Sequence, residues 1–268
     1  MFARGTQMRL LVLLFTSFLL LTGCGSSQTE LQTDTKKVEI TVSAAASLTD
    51  ALQEIQKMYE KQHPDVKIYF NFGASGALQQ QIEQGAPVDL FISASEQYMK
   101  KLMDKDIISE DQQTNLLTNE LTVITAVNKD INIQDAKDLL RTEVHKIAIG
   151  IPDSVPAGKY AEEALKHAGV WDELRPKMVQ AKDVRQVLQY VETGNVDAGI
   201  VYKTDALLSN QVKIAYTVDS SSYSPIEYPM GIISATANKQ EVTDLYTYFQ
   251  SKDAVSIFKK YGFSVPDV

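Results

Sequence analysis

From residue 38 onward, short apolar runs alternate with amphipathic segments, and this alternation restricts the fold more than any other feature of the chain. The runs are VEITV (38–42), KIYFNF (67–72), DLFIS (89–93), LTVITAV (121–127), KIAIGI (146–151), AGIVY (198–202), KIAYTV (213–218) and MGIISA (230–235). Most are unbroken rather than alternating, the pattern of parallel strands buried on both faces. Between them lie helices with legible ends. Leu48, Leu52, Ile55 and Tyr59 share one face. Val184, Val187, Leu188 and Val191 share another, before a terminating Gly194. A third helix runs from Gly158 through Ala161, Ala164 and Leu165 to Gly169, and residues 241–261 read as two more, stopped by Gly262. Strands and helices in alternation predict an α/β fold. No Pro-rich or Ser-rich linker separates two halves, so any two lobes must be joined by short ordered crossings.

The strands tend to stop where a helix starts. Ser47 opens the Leu48 helix, Ser75 opens a helix containing Leu78 and Ile82, Pro156-Ala157-Gly158 opens a third, and Asp183-Val184 a fourth. A helix N-terminus carries unpaired N–H groups and partial positive charge, so several converging on one point hold an anion without any cationic side chain. In open α/β sheets, ligands gather at these carboxyl ends of strands. The same residues also read as ordinary caps: Ser47 with Asp50 as a capping box, Ser75 and Asp183 as N-caps. Pattern alone leaves both readings open.

Enzymatic readings find little support. His63, His145 and His167 are scattered, with no pair at metal-ligand spacing. Gly73-Ala74-Ser75-Gly76-Ala77 departs from the nucleophile elbow G-x-S-x-G at its last position, and no phosphate loop occurs. A secreted serine hydrolase stands as the alternative from another class, lacking a histidine placed near Ser47 or Ser75. The net charge of −8 makes nucleic acid an improbable partner.

The first 23 residues carry Arg4 and Arg9, no acid, and an apolar run from Leu10 to Leu21. That is the pattern of a signal peptide, and the run is shorter than the roughly 20 residues of a spanning helix. It ends in Leu21-Thr22-Gly23-Cys24, which resembles the bacterial lipobox and implies an acyl lipid on Cys24, the single cysteine. Residues 24–37 then read as the lipidated cysteine and a polar, flexible tether. Cleavage removes two basic residues and no acid, taking the net charge to −10.

The remaining chain resembles the molybdate-binding proteins that serve ATP-driven (ABC) molybdate transporters, over essentially its whole length. The resemblance rests on ITVSAAASLTDAL from Ile40, QIEQGAPVDLFISA from Gln81, GIPDSVPAGKYAEEAL from Gly150, DVRQVL from Asp183, AGIVYKTDA from Ala198 and IFKKYGF near the end. It implies a two-lobed periplasmic-binding-protein-like fold (type II), with the ligand in the cleft between lobes. Lobe I would comprise residues 38–118 and 227–268, and lobe II residues 119–226. It further implies that the oxyanion is held by hydroxyl and main-chain N–H of Ser47 and Ser75, by the N–H of Ala157 and Val184, and by the phenol of Tyr202. Around Ser75 the chain departs from the family, which often has several serines there, where this sequence has Gly73, Ala74, Gly76 and Ala77. Lys159, Arg185 and Lys203 directly follow three of these positions and by pattern point to solvent.

The function so implied is an extracytoplasmic lipoprotein, anchored to the cell membrane through Cys24, that delivers molybdate or tungstate to an ABC permease. It would act as a monomer, with no catalysis and no cofactor. A receptor for sulfate or another small tetrahedral oxyanion is the alternative within the class. A fully deprotonated oxyanion offers only acceptors, so a pocket of donors satisfies it and leaves the O–H of monohydrogen phosphate unpaired, at a cost of about 1–3 kcal/mol. Sulfate differs by size alone.

Overall fold

The computed structural model describes residues 37–266; the expected signal peptide and Cys24 lie outside the described residues, as does the tether up to Lys36. Ten strands form two five-stranded sheets. The first contains β1 (Val38–Ala45), β2 (Val66–Gly73), β3 (Leu90–Ile92), β4 (Ile108–Thr118) and β10 (Glu227–Ile233), in the order β2-β1-β3-β10-β4. The second contains β5 (Leu121–Ala126), β6 (Ile147–Gly150), β7 (Met178–Ala181), β8 (Ala198–Tyr202) and β9 (Val212–Thr217), in the order β7-β6-β8-β5-β9. Each sheet is the centre of one lobe.

The two sheets follow one plan. Three strands run parallel on one side (β2, β1, β3 and β7, β6, β8), and the fourth runs antiparallel to both its neighbours (β10 and β5). The expectation of mostly parallel strands therefore fails for β5 and β10. All six residues of β5, and all but the first of β10, are buried. An unbroken apolar run reports burial on both faces, whichever way the strand points.

Two strands escape the sequence pattern. β4 is an edge strand whose middle, SEDQQTN, is exposed or half-buried, so it offers no apolar run. β7 is only four residues long, and all but its last residue lie at or near the surface.

The antiparallel strand of each sheet arrives from the other lobe. The chain passes from β4 straight into β5, and returns from β9 into β10. The two crossings lie side by side: Asn119 N–H donates to Ile226 O at 3.2 Å, and Thr118 pairs with Glu227. Asn119 Nδ2 also donates to Tyr228 Oη (3.2 Å) and to Thr204 Oγ1 (2.9 Å), tying both crossings to the second lobe.

Helices follow the strands and cover the sheets. In the first lobe these are α1 (Thr49–Gln62), α2 (Ser75–Glu83) and α3 (Glu96–Met103). The second has α4 (Pro156–His167), α5 (Trp171–Leu174), α6 (Val184–Glu192) and α7 (Lys203–Leu207), and the chain closes with α8 (Lys239–Phe249) and α9 (Lys252–Lys260). α4 can begin hard against the end of β6 only because both contacting residues lack a side chain. A Cβ on Gly158 would stand 2.0 Å from Gly150 O.

Candidate functional site

At the carboxyl ends of the parallel strands, where the sheets face each other, lies a small cavity of about 210 Å³ of empty space including its mouth. All five residues singled out in the sequence line it: Ser47, Ser75, Ala157, Val184 and Tyr202. None is more than 4 % exposed. They come from five different strand ends, those of β1, β2, β6, β7 and β8, so only the assembled fold brings them together. Ala94, after β3, completes the set of six equivalent strand ends and also lines the cavity.

The structure separates capping from the other roles open to these residues. Asp183 is an N-cap, its Oδ1 accepting from Gln186 N–H at 2.8 Å. Neither serine is. Ser47 sits inside a short 3-10 turn (Ala46–Leu48) that leads into α1, and its Oγ is hydrogen-bonded to Tyr228 Oη at 3.0 Å. The N-cap of α2 is Ala74; Ser75 is the first helical residue, and its Oγ accepts from Ala94 N–H at 2.9 Å. The capping readings of Ser47 and Ser75 are thus overturned, and their hydroxyls are held by partners elsewhere in the first lobe.

Ser75, Ala157 and Val184 occupy the first turns of α2, α4 and α6, where main-chain N–H groups have no carbonyl to bond within the helix. Pro156 at the first position of α4 has no N–H, which leaves the N–H of Ala157 as the first of that helix. The phenol of Tyr202 has no hydrogen-bond partner among the described residues, although it is wholly buried. Burial raises its pKa well above the ordinary tyrosine value, as does the neighbouring Tyr228, so it is a neutral donor. An unmet buried hydroxyl costs about 1–3 kcal/mol unless something completes it.

The lining is not free of carboxylates, because Asp183 belongs to it. Its committed Oδ1 leaves the cavity predominantly one of donors. None of the three histidines lines it, and the described residues contain no group of His, Cys, Asp and Glu suited to a metal ion. Of the cations expected at the surface, Lys159 pairs with Glu162 and Lys203 with Glu120, both partly exposed. Arg185 departs from that expectation. It turns inward to pair with Asp50 and Asp205.

Sequence reasoning missed Tyr228, which fixes the Ser47 hydroxyl, and Ala94, which does the same for Ser75. Tyr228 sits on β10, about 180 residues from its partner, and no local pattern links the two.

A family model described as bacterial extracellular solute-binding protein matches residues 40–264. YvgL of Bacillus subtilis (strain 168), named provisionally as an ABC transporter substrate-binding lipoprotein, is 49% identical over 249 residues, covering 93% of this chain and 95% of that one. The molybdate-binding protein ModA of Escherichia coli (strain K12) is 40% identical over 232 residues, covering 85% and 89%. The solved substrate-binding domain of a provisionally assigned molybdenum ABC transporter from Clostridium difficile superposes with a TM-score of 0.67 at 41% identity, covering 86% of this chain and all of that one.

Proposed function

Because the chain belongs to the bacterial extracellular solute-binding protein family, we propose that it captures molybdate or tungstate in this cavity and delivers the ion to an ABC permease. One observation carries the proposal. Five strand ends from both lobes converge on one small space, with the unpartnered phenol of Tyr202 among its walls. The oxyanion completes that phenol and the first-turn N–H groups of α2, α4 and α6, while the hydroxyls of Ser47 and Ser75 add to the donor set. Short charge-assisted hydrogen bonds of this kind are what offset the cost of stripping water from a dianion.

The ligand residues are then Ser47, Ser75, Ala157, Val184 and Tyr202, contributed by lobe I (residues 38–118 and 227–268) and lobe II (residues 119–226). The binding of molybdate by a relative that is 40% identical supports the choice of ion. The naming of YvgL as a lipoprotein supports a mature chain that begins at an acylated Cys24, held on the outer face of the membrane after loss of residues 1–23. Its task is transport as a monomer, without catalysis.

Isothermal calorimetry of the mature domain with molybdate, tungstate, sulfate and phosphate tests the reading. Tight binding of the first two alone is expected. Sulfate binding of equal strength would replace molybdate with a general sulfate-like oxyanion as the cargo.

A further inference from the structure

Three of the cavity residues share a turn of chain with a member of an ion triad. Asp50 follows Ser47 by three residues, Arg185 is next to Val184, and Asp205 follows Tyr202 by three. Arg185 Nη2 pairs with an Oδ of Asp50, and its Nε lies 2.9 Å from Asp205 Oδ1 as an ion pair whose angle is not that of a hydrogen bond. The two legs differ. Asp205 has a side-chain exposure of 0%, on the same sheet's lobe as Arg185, whereas Asp50 is 42% exposed and belongs to α1 of the first lobe. One leg is internal to the second lobe; the other spans the cleft.

We propose that Arg185 is an inter-lobe latch: a positioning residue held in place by the buried carboxylate of Asp205, which engages Asp50 when the lobes close and so sets how long the oxyanion is retained. This rests on the molybdate reading above. Arg185 meets Asp205 as a buried charge pair that is not aligned as a hydrogen bond, so its Nη2 donor stays available to Asp50. Since the first contact already orders the arginine, closure immobilises only the short side chain of Asp50.

The opposite flank of the cavity is joined differently. Gly76 N–H donates to Ser154 O (3.0 Å), Tyr98 Oη to Asp153 O (2.9 Å) and Tyr160 Oη to Ala94 O (3.3 Å). Those bonds are neutral. The ion pair is therefore the element of closure that responds to salt, and it borders an open polar groove that also includes Lys182, Gln186 and Glu192.

The test uses Asp50→Asn, which removes the spanning leg and leaves Arg185 paired with Asp205. Release of isotopically labelled molybdate is followed after a chase with unlabelled ion, at low and high salt. Expected are release about two- to five-fold faster than wild type, as befits a partly exposed pair, an unchanged melting temperature without ligand, and loss of the salt acceleration expected of wild type. Wild-type protein that binds no molybdate overturns both readings. Wild-type binding with unchanged release in Asp50→Asn overturns the latch alone. So does a ligand-free Asp50→Asn protein that melts more than about 5 °C below wild type, which would make the pair a support of the fold.

Discussion

The two lobes share one strand plan yet supply the cavity in opposite ways. β1, β2 and β3 of the first correspond in sheet position to β6, β7 and β8 of the second. The first lobe presents hydroxyl side chains after its first two strands, Ser47 and Ser75, and only a methyl, Ala94, after the third. The second presents main chain alone after its first two, at Ala157 and Val184, and a phenol, Tyr202, after the third. Where side chains do the work, each needs a partner to hold it: Tyr228 for Ser47, and the N–H of Ala94 for Ser75. Where main chain does the work, the helix itself must be placed, and the close apposition of Gly158 to Gly150 does so. The first lobe brings two seryl hydroxyls to the cavity, and the second brings two helix starts and one phenol.

That contrast can be broken most forcefully at the glycines. Gly158→Ala forces a Cβ onto the carbonyl of Gly150 and should cost about 3 kcal/mol or more. At Gly73, at the end of β2, a Cβ meets only Leu78 at 3.4 Å, so Gly73→Ala should stay within about 0.5 kcal/mol. Urea midpoints of the two variants compare the lobes directly, and equal losses would erase the distinction.

At the phenol, Tyr202→Phe should raise the molybdate Kd about 10- to 100-fold by removing a charge-assisted hydrogen bond. Its ligand-free melting temperature should equal or exceed that of wild type, since it deletes a buried hydroxyl with no partner. A variant that binds normally would remove Tyr202 from the site.

The serines sharpen the comparison further. Ser75→Ala strands the buried N–H of Ala94, so it should weaken binding and also lower melting by about 2–8 °C. The loss at Ser47→Ala should fall mainly on binding, because Tyr228 Oη keeps the Asn119 amide as a partner. Differential scanning fluorimetry with and without molybdate separates the two effects.

The smallest effect concerns pH. Burial pushes the Asp205 carboxyl up to about 6, against the pull of Arg185, while an unfolded aspartate titrates near ~3.9. The unfolded chain thus loses this proton first. The contribution of Asp205 to stability should fall as pH rises from about 4 to about 6 and stay level above that. Subtracting the pH profile of Asp205→Asn from that of wild type isolates the trend; a difference that rises with pH would contradict it.

The sequence disclosed the strand ends and the helix starts because both are local: apolar runs, a helical spacing, a proline and a glycine at known positions. It could not disclose what holds the serines. The bond from Ser47 to Tyr228 and that from Asp50 to Arg185 span 181 and 135 residues, and each exists only once the lobes are assembled. The edge strand β4 was invisible for another reason. A strand paired on one side and wet on the other needs few apolar residues, and SEDQQTN spells a loop as readily. Arg185 misled because a charged residue on the first turn of a surface helix usually faces water, and the acid that turns it inward lies 20 residues further on.

The insertion of β10 between β3 and β4 bears on the order in which the molecule can be made. The sheet of the first lobe has its first four strands by residue 118, but it cannot join β4 to the other three until residues 227–233 exist. A chain growing from its N-terminus therefore keeps the edge of β3 and the whole of β4 unpaired while it completes the other lobe. Contacts of such long sequence separation form slowly. Chains cut short before Glu227 should leave β3 and β4 as bare edges, open to pairing with other copies, so the last forty or so residues act as the keystone of a lobe begun at residue 38.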